Sequence, residues 1–316
     1  MKNWLPFAQL VRLPNTFTAM ADIFLGAAAT GLLFKRWHVF LCLLVSSTLL
    51  YWSGMIWNDY FDVAEDARDR PGRPLPSGRI SLRGAFGLAA CFMILGIAFA
   101  LGADLLNANL PDAERVSEGG RFVSWRATTM SVLLVVAILL YDAMLKETFI
   151  GPIVMGMCRS LNILLGLAIL DVLPPFWGWL MALIIGIYIA GVTWFAQTET
   201  QKSRQPILIA AAIVILISLV LALTVPALAL ETPGGHSPSA FFPYLLAAFG
   251  GYLGMAVVRA IRRPDPMRVQ PVIKRAILGL IVLDALLASA FVGSFGLLLA
   301  VLLIPGMILG RWLYST

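Results

Sequence analysis

Apolar residues in this chain come in long runs, and polar residues collect between them. Ten runs stand out, at roughly 16–35, 38–58, 83–104, 127–145, 150–171, 175–196, 206–230, 240–261, 271–292 and 294–313. Each approaches the about 20 residues that an α-helix needs to cross the hydrocarbon of a bilayer. Helix is the reading that lipid permits, because an open strand would leave its backbone groups unsatisfied there. The last two runs are separated by little more than Gly293, so they form either a tight hairpin or one broken element. The pattern predicts an all-α, polytopic transmembrane bundle of nine to ten spans.

Composition strengthens that reading. Of 316 residues, 60% are hydrophobic and 13% charged, with a mean hydropathy of +0.88. A water-soluble domain of this size needs more polar surface. The formal charge of +6 does not point to nucleic acid, since most basic residues lie in short loops between apolar runs. With the N-terminus inside, the inner loops hold Arg12, Arg68, Arg70, Arg73, Arg79, Arg83, Lys146, Lys202, Arg204 and the six cations from Arg259 to Arg275. The outer loops hold only Lys35, Arg36, Arg115, Arg121 and Arg126. Such asymmetry predicts a cytoplasmic-membrane protein with its N-terminus facing the cytoplasm. Cys42, Cys91 and Cys158 lie inside apolar runs without metal-ligand spacing and read as small core residues. No cleavable signal peptide is visible before the first run.

The second run ends in Trp57-Asn58-Asp59-Tyr60-Phe61-Asp62-Val63-Ala64-Glu65-Asp66. Asn58, Asp62 and Asp66 are spaced i, i+4, i+8, which on a helix makes one stripe about 12 Å long. Asp59 adds a carboxylate at its edge. Carboxylates this close repel unless a cation joins them, and hard oxygen donors suit Mg²⁺ shared with phosphates. Pro71, Gly72, Pro74 and Pro76 then stop the helix. The arginines of that loop, Arg68, Arg70, Arg73 and Arg79, can form bidentate bonds to phosphate oxygens. Together these features read as a diphosphate site at a membrane edge, with Asn58, Asp59, Asp62 and Asp66 as metal donors.

The pattern N-D-x-x-D-x-x-x-D followed by D-R-x-x-R-P-L-x-x-G resembles the first signature of the UbiA superfamily of intramembrane prenyltransferases. Tyr141-Asp142 through Lys146 is similar to that family's Tyr and Lys at the end of the fourth span. Gly151-Pro152 through Met157-Cys158-Arg159-Ser160-Leu161-Asn162 is similar to its fifth-span segment, and Arg12-Leu13-Pro14-Asn15 to its opening. The resemblance implies one prenyltransferase-like domain over 1–316, with halves of about 1–146 and 147–316. It implies Mg²⁺-dependent transfer of an isoprenyl group from an isoprenyl diphosphate to an aromatic or other lipophilic acceptor. In that scheme Asp62, Lys146 and Tyr141 are the catalytic candidates. Arg70, Arg73, Arg159, Asn162, Glu199 and Asn15 are the substrate-binding candidates. Asn15 can equally cap the first helix. Trp52, Trp57, Tyr60, Tyr141 and Trp194 can face a developing allylic cation or simply pack.

The second half departs from the family's usual D-x-x-x-D at the sixth span. Residues 191–202 contain Gln197, Glu199 and Lys202 but no aspartate. At an offset of 137 residues Gly54 falls on Gly191, Trp57 on Trp194 and Asp62 on Glu199, a weak internal repeat of the sort that places two halves around one cavity. The variant motif and the Met-Cys-Arg-Ser-Leu-Asn run look most like the EboC-type branch. A second function class follows from that variation: a catalytically weak relative that binds or translocates a polyprenyl lipid or its precursor. Asp22 and Asp284 lie inside apolar runs, at about 2.5–3.5 kcal/mol each on insertion scales. Either can pair with Ser, Thr or backbone. An ion-coupled transporter would need acids spread through several midplane spans, whereas here the acids cluster at one cytoplasmic edge, which argues against it. Arg159 is costly in the same way, and Asp142 and Asp171 are its candidate partners.

Overall fold

The computed structural model describes residues 4–111, 124–197, 205–230 and 237–314. The described residues form helices α1 Leu5–Leu10, α2 Thr16–Ala29, α3 Trp37–Phe61, α4 Val63–Asp69, α5 Leu82–Ala108, α6 Arg126–Leu140 and α7 Gly151–Leu167. They continue with α8 Phe176–Ala196, α9 Gln205–Ala222, α10 Val225–Leu230, α11 Phe242–Arg262, α12 Pro266–Val292 and α13 Leu303–Tyr314. Leu13–Asn15 and Gly293–Leu302 are 3-10 turns, and Tyr141–Leu145 is a π-helical turn.

All ten apolar runs fall on helix, but they are not equal. Among the described residues, seven helical stretches are long and apolar enough to cross a membrane, one of them the 48-residue unit Pro266–Leu313. α2 has 14 residues, a rise of about 21 Å, and α7 has 17. Both fall short of a hydrocarbon layer of about 30 Å. The final two runs are the broken-element case. Gly293 joins them at φ 62°, a left-handed conformation that glycine adopts without a side-chain clash.

α3 and α8 are the inner helices, with 56% of their apolar windows buried, against 28% for α5, α6 and the α9–α10 stretch. Ile94 and Phe99 of α5, with Ile213 and Leu216 of α9, point outward as a lipid-facing surface. Small residues set how closely the inner elements approach. A Cβ on Gly156 of α7 would lie 2.3 Å from the carbonyl oxygen of Gly186 on α8. One on Gly26 of α2 would lie 2.9 Å from Gly166 of α7. Without a hydrophobic force between helices in lipid, such close contact holds them together. Gly156→Ala is expected to cost about 1–3 kcal/mol, the range for overpacking. A thermal-unfolding midpoint equal to wild type in lipid nanodiscs would contradict this.

The end of the bundle away from Asn58 is closed by buried polar groups. Asp104 of α5 accepts the backbone N–H groups of Ala127 and Thr128 at 3.1 and 2.9 Å, and so caps the start of α6. Arg36, 1% exposed, donates to the Ile169 carbonyl at 2.9 Å and to Asp171 at 3.2 Å. Arg126 donates to the Leu170 carbonyl.

Candidate active site

The carboxylate stripe is bent rather than straight. α3 ends at Phe61, Asp62 takes φ −88° and ψ 0°, and α4 starts at Val63. The bend divides the four expected metal donors into two pairs. Asn58 and Asp62 line a cavity, whereas Asp59 and Asp66, each 4% exposed, turn to Arg73. Arg73 Nη1 lies 3.3 Å from Asp59 and 2.6 Å from Asp66. Arg12 Nη2 donates to Asn58 at 2.7 Å and to Asp59 at 3.1 Å. Lys146 forms an ion pair with Asp62. The mutual repulsion of the carboxylates is therefore relieved by three cations already in place.

The π-helical turn explains how Lys146 reaches that position. Its backbone N–H donates to Tyr141 at 3.0 Å, five residues back, in place of the usual four. That extra residue in the turn directs Tyr141 and Asp142 to the cavity while Lys146 returns to Asp62. Asp142 accepts from Asn58 at 2.9 Å. Partial burial lowers the Lys146 ammonium from its ordinary value.

The cavity has a volume of about 490 Å³. Arg12, Asn15, Asn58, Asp62, Arg70 and Arg73 stand at its mouth. Leu134 and Ile138 of α6, Ile189 and Val192 of α8, and Ile273 and Ile277 of α12 form apolar walls. Farther in lie Ser47, Tyr51, Arg159 and Asn162. Asn15 makes no side-chain cap on α2, so of its two expected roles the structure shows only the cavity position.

Several expectations change in three dimensions. Arg159 pairs with Asp22 at 3.0 Å, not with Asp142 or Asp171. Asp171 belongs to Arg36 instead. The close α2–α7 approach at Gly26 and Gly166 makes the first pairing possible. Of the five aromatics considered for a cation, only Tyr141 lines the cavity. Trp57 and Tyr60 pack with Phe61 and Phe86, Trp52 with Phe7 and Phe92, and Trp194 with Phe149. Tyr51 does line it, with the Arg159 guanidinium 5.9 Å from its ring centroid. Gln197 donates to the carbonyls of Lys146 and Thr148 at 3.1 and 3.2 Å, which fastens α8 to the segment after the π turn. Glu199 and Lys202 lie outside the described residues.

In the sequence Arg12 reads as an inner-loop charge within the family-like opening, with no sign that it joins two of the four donors. Its φ of 48° turns the chain back over α3, a conformation that no local motif announces. Among the described residues, no three His, Cys, Asp or Glu side chains form a preassembled metal cage. The cavity-facing pair does fit Mg²⁺ that takes its other ligands from phosphate oxygens and water, because that ion commonly uses only one or two carboxylates.

The profile of the UbiA prenyltransferase family matches residues 19–278. The digeranylgeranylglyceryl phosphate synthase of Saccharolobus solfataricus is 29% identical over 165 residues, 51% of this chain and 50% of that protein. The enzyme of the same name from Methanothermobacter thermautotrophicus is 30% identical over 166 residues, 51% and 54% of the two chains. The chain thus spans about half the length of the curated relatives it matches. Among solved structures, a digeranylgeranylglyceryl phosphate synthase superposes with a TM-score of 0.64 at 20% identity, over 92% of this chain and 99% of that one. A UbiA homologue from Archaeoglobus fulgidus bound to DMAPP and Mg²⁺ gives 0.60 at 12% identity, over 93% and 99%. The likeness to these structures shows a shared fold. With most of its length matched by the family profile, the chain belongs to the UbiA prenyltransferase family.

Proposed function

We propose that this protein transfers an isoprenyl group from an isoprenyl diphosphate to a lipophilic acceptor within the membrane, with Mg²⁺ as cofactor. One observation carries this reading. Hard oxygen donors and arginines meet at the polar mouth of a cavity whose walls are apolar. An amphiphile with a diphosphate head and a hydrocarbon tail has that same division. Relatives named for making digeranylgeranylglyceryl phosphate, and homologues bound to DMAPP or GPP with Mg²⁺, support it.

Asn58 and Asp62 hold the metal in this scheme, and Mg²⁺ supplies charge stabilisation to the departing diphosphate. Asp59 and Asp66 hold Arg73, and Asp59 also holds Arg12. Both arginines, with Arg70 and Lys146, then contact phosphate oxygens as charge builds there. The allylic C–O bond breaks with its electrons going to diphosphate. The acceptor forms the new bond at that carbon and releases a proton. Tyr141 borders the reacting carbon, and Asn15 flanks the mouth. Glu199, outside the described residues, is the sequence counterpart of Asp62 at an offset of 137 in one domain built of two halves.

The mouth faces the cytoplasm with the N-terminus, as the loop charges require. Flanking turns and local thinning of the bilayer make up the shortfall of α2 and α7. Adding them to the seven long stretches makes nine crossings, and counting Pro266–Leu313 twice makes ten. The variant second motif and the Met157–Asn162 run look most like the EboC-type branch, and aromatic acceptors belong in any test.

In nanodiscs, labelled geranylgeranyl and longer diphosphates with aromatic and alcohol acceptors are expected to give prenylated product. EDTA should abolish product, and added Mg²⁺ should restore it. Diphosphate binding without turnover across the panel would leave the lipid-binding alternative standing.

A further inference from the structure

The cavity carries a second polar patch, deeper than the mouth where the proposed diphosphate head sits. Tyr51 lies seven residues before Asn58 on α3, about 10 Å farther in at 1.5 Å per residue. At that level Arg159 donates to Asp22 at 3.0 Å and to Thr18 at 2.8 Å. Asn162 donates to Asp22 at 2.8 Å and to the Ala19 carbonyl at 3.0 Å, and it accepts from Ser47 at 2.7 Å. Asp284 of α12 faces Asp22. It is fully buried, and no N–H or hydroxyl group among the described residues donates to it, which leaves the Asp22 carboxyl as its polar neighbour.

A hydrocarbon tail gains nothing from a guanidinium in its path. A chamber built for the tail alone needs only walls such as Ile189 and Ile277. Arg159 keeps unused capacity, because a guanidinium carries five N–H donors and the two bonds to Asp22 and Thr18 engage only part of them. Its side chain is 15% exposed and lines the cavity.

The charge balance limits what can bind there. Asp22 is the carboxylate ion-paired to Arg159 at 3.0 Å, so with a proton on Asp284 the cluster of Asp22, Asp284 and Arg159 is neutral. With Asp284 also ionised it carries one net negative charge. In neither form does it offer the uncompensated positive charge that would offset desolvation of an incoming anion. A neutral oxygen accepts an Arg159 N–H without that cost.

We propose that this patch is the subsite for the acceptor's polar group, and that it takes an uncharged hydroxyl, ether or carbonyl oxygen rather than a carboxylate or phosphate. Arg159 is the hydrogen-bond donor. Asp22 and Asp284 are positioning residues that aim the guanidinium and cancel its charge. The proposal rests on the prenyl-transfer reading.

The test is equilibrium binding of the full chain in phosphatidylcholine nanodiscs, corrected for partition into empty discs. The probes are tritiated monogeranylgeranylglycerol and its phosphate ester, a pair differing only in the charged group. The alcohol is expected to bind at least tenfold more tightly than the phosphate. Arg159→Met should weaken the alcohol about tenfold while Mg²⁺–geranylgeranyl diphosphate still binds, which also reports a folded protein. Asp22→Asn, which removes the carboxylate bonded to Arg159 and leaves only Asp284 to offset its charge, should narrow the preference. Equal or tighter binding of the phosphate by wild type overturns the proposal, as does an Arg159→Met protein that binds the alcohol unchanged. Discrimination without prenyl transfer would retain the subsite and remove the transfer reading. Transfer without discrimination would do the reverse.

Discussion

Asp62→Asn is expected to lower the rate of prenyl transfer by about 10²–10³-fold, the effect of removing one preorganised charge partner from a reacting site. The carboxamide keeps the shape of the side chain at the α3–α4 bend. It removes the anion that faces the cavity and leaves Lys146 without its ion-pair partner. Fold stability should change little, since Asp62 lies at the wet mouth and Asn58 and Asp59 keep their bonds to Arg12. Asp59→Asn should cost only about tenfold, because Asp59 acts through Arg12 and Arg73 and does not line the cavity. Single-turnover transfer of labelled geranylgeranyl diphosphate would measure both. An Asp62→Asn protein retaining half of wild-type transfer would remove Asp62 from the metal site.

The opposite outcome is expected for Arg36→Met. Arg36 is almost completely buried at the far end of the bundle and bonds Asp171, the Ile169 carbonyl and, at 3.5 Å, Asn107. Its removal leaves Asp171 without that counter-charge in a low-dielectric setting, and breaking such a buried pair costs about 3–5 kcal/mol. The midpoint of thermal unfolding should fall well below that of wild type, while diphosphate binding below that midpoint stays near normal. An unchanged midpoint would show that water or other donors already satisfy Asp171. The two variants separate function at the mouth from stability at the closed end.

Part of the site is legible in the amino-acid sequence. The runs of apolar residues predict helices because lipid leaves the backbone no other way to satisfy its hydrogen bonds. The spacing of Asn58, Asp62 and Asp66 marks one end of α3, and the prolines after it mark where that helix must stop. These are local facts, set by periodicity and by proline's missing N–H. The straight stripe that this spacing implies does not form. Asp62 sits at a bend, and no residue between Asn58 and Asp66 is a helix breaker that would announce it.

Pairing across the bundle is legible only in three dimensions. Asp22 and Arg159 are 137 residues apart, and their contact depends on Gly26 and Gly166 letting two backbones touch. Arg12 joins the carboxylates because one left-handed residue folds the N-terminal segment over α3. Trp57 and Tyr60, plausible faces for a cation by position, pack away from the cavity because helical rotation carries them to the Phe86 side. By itself the sequence determined a helical membrane protein with a diphosphate-like motif, since burial in lipid and residue spacing act within one segment. Which cation neutralises which acid was decided by the tertiary structure, because a buried charge takes the partner that packing brings within about 3 Å.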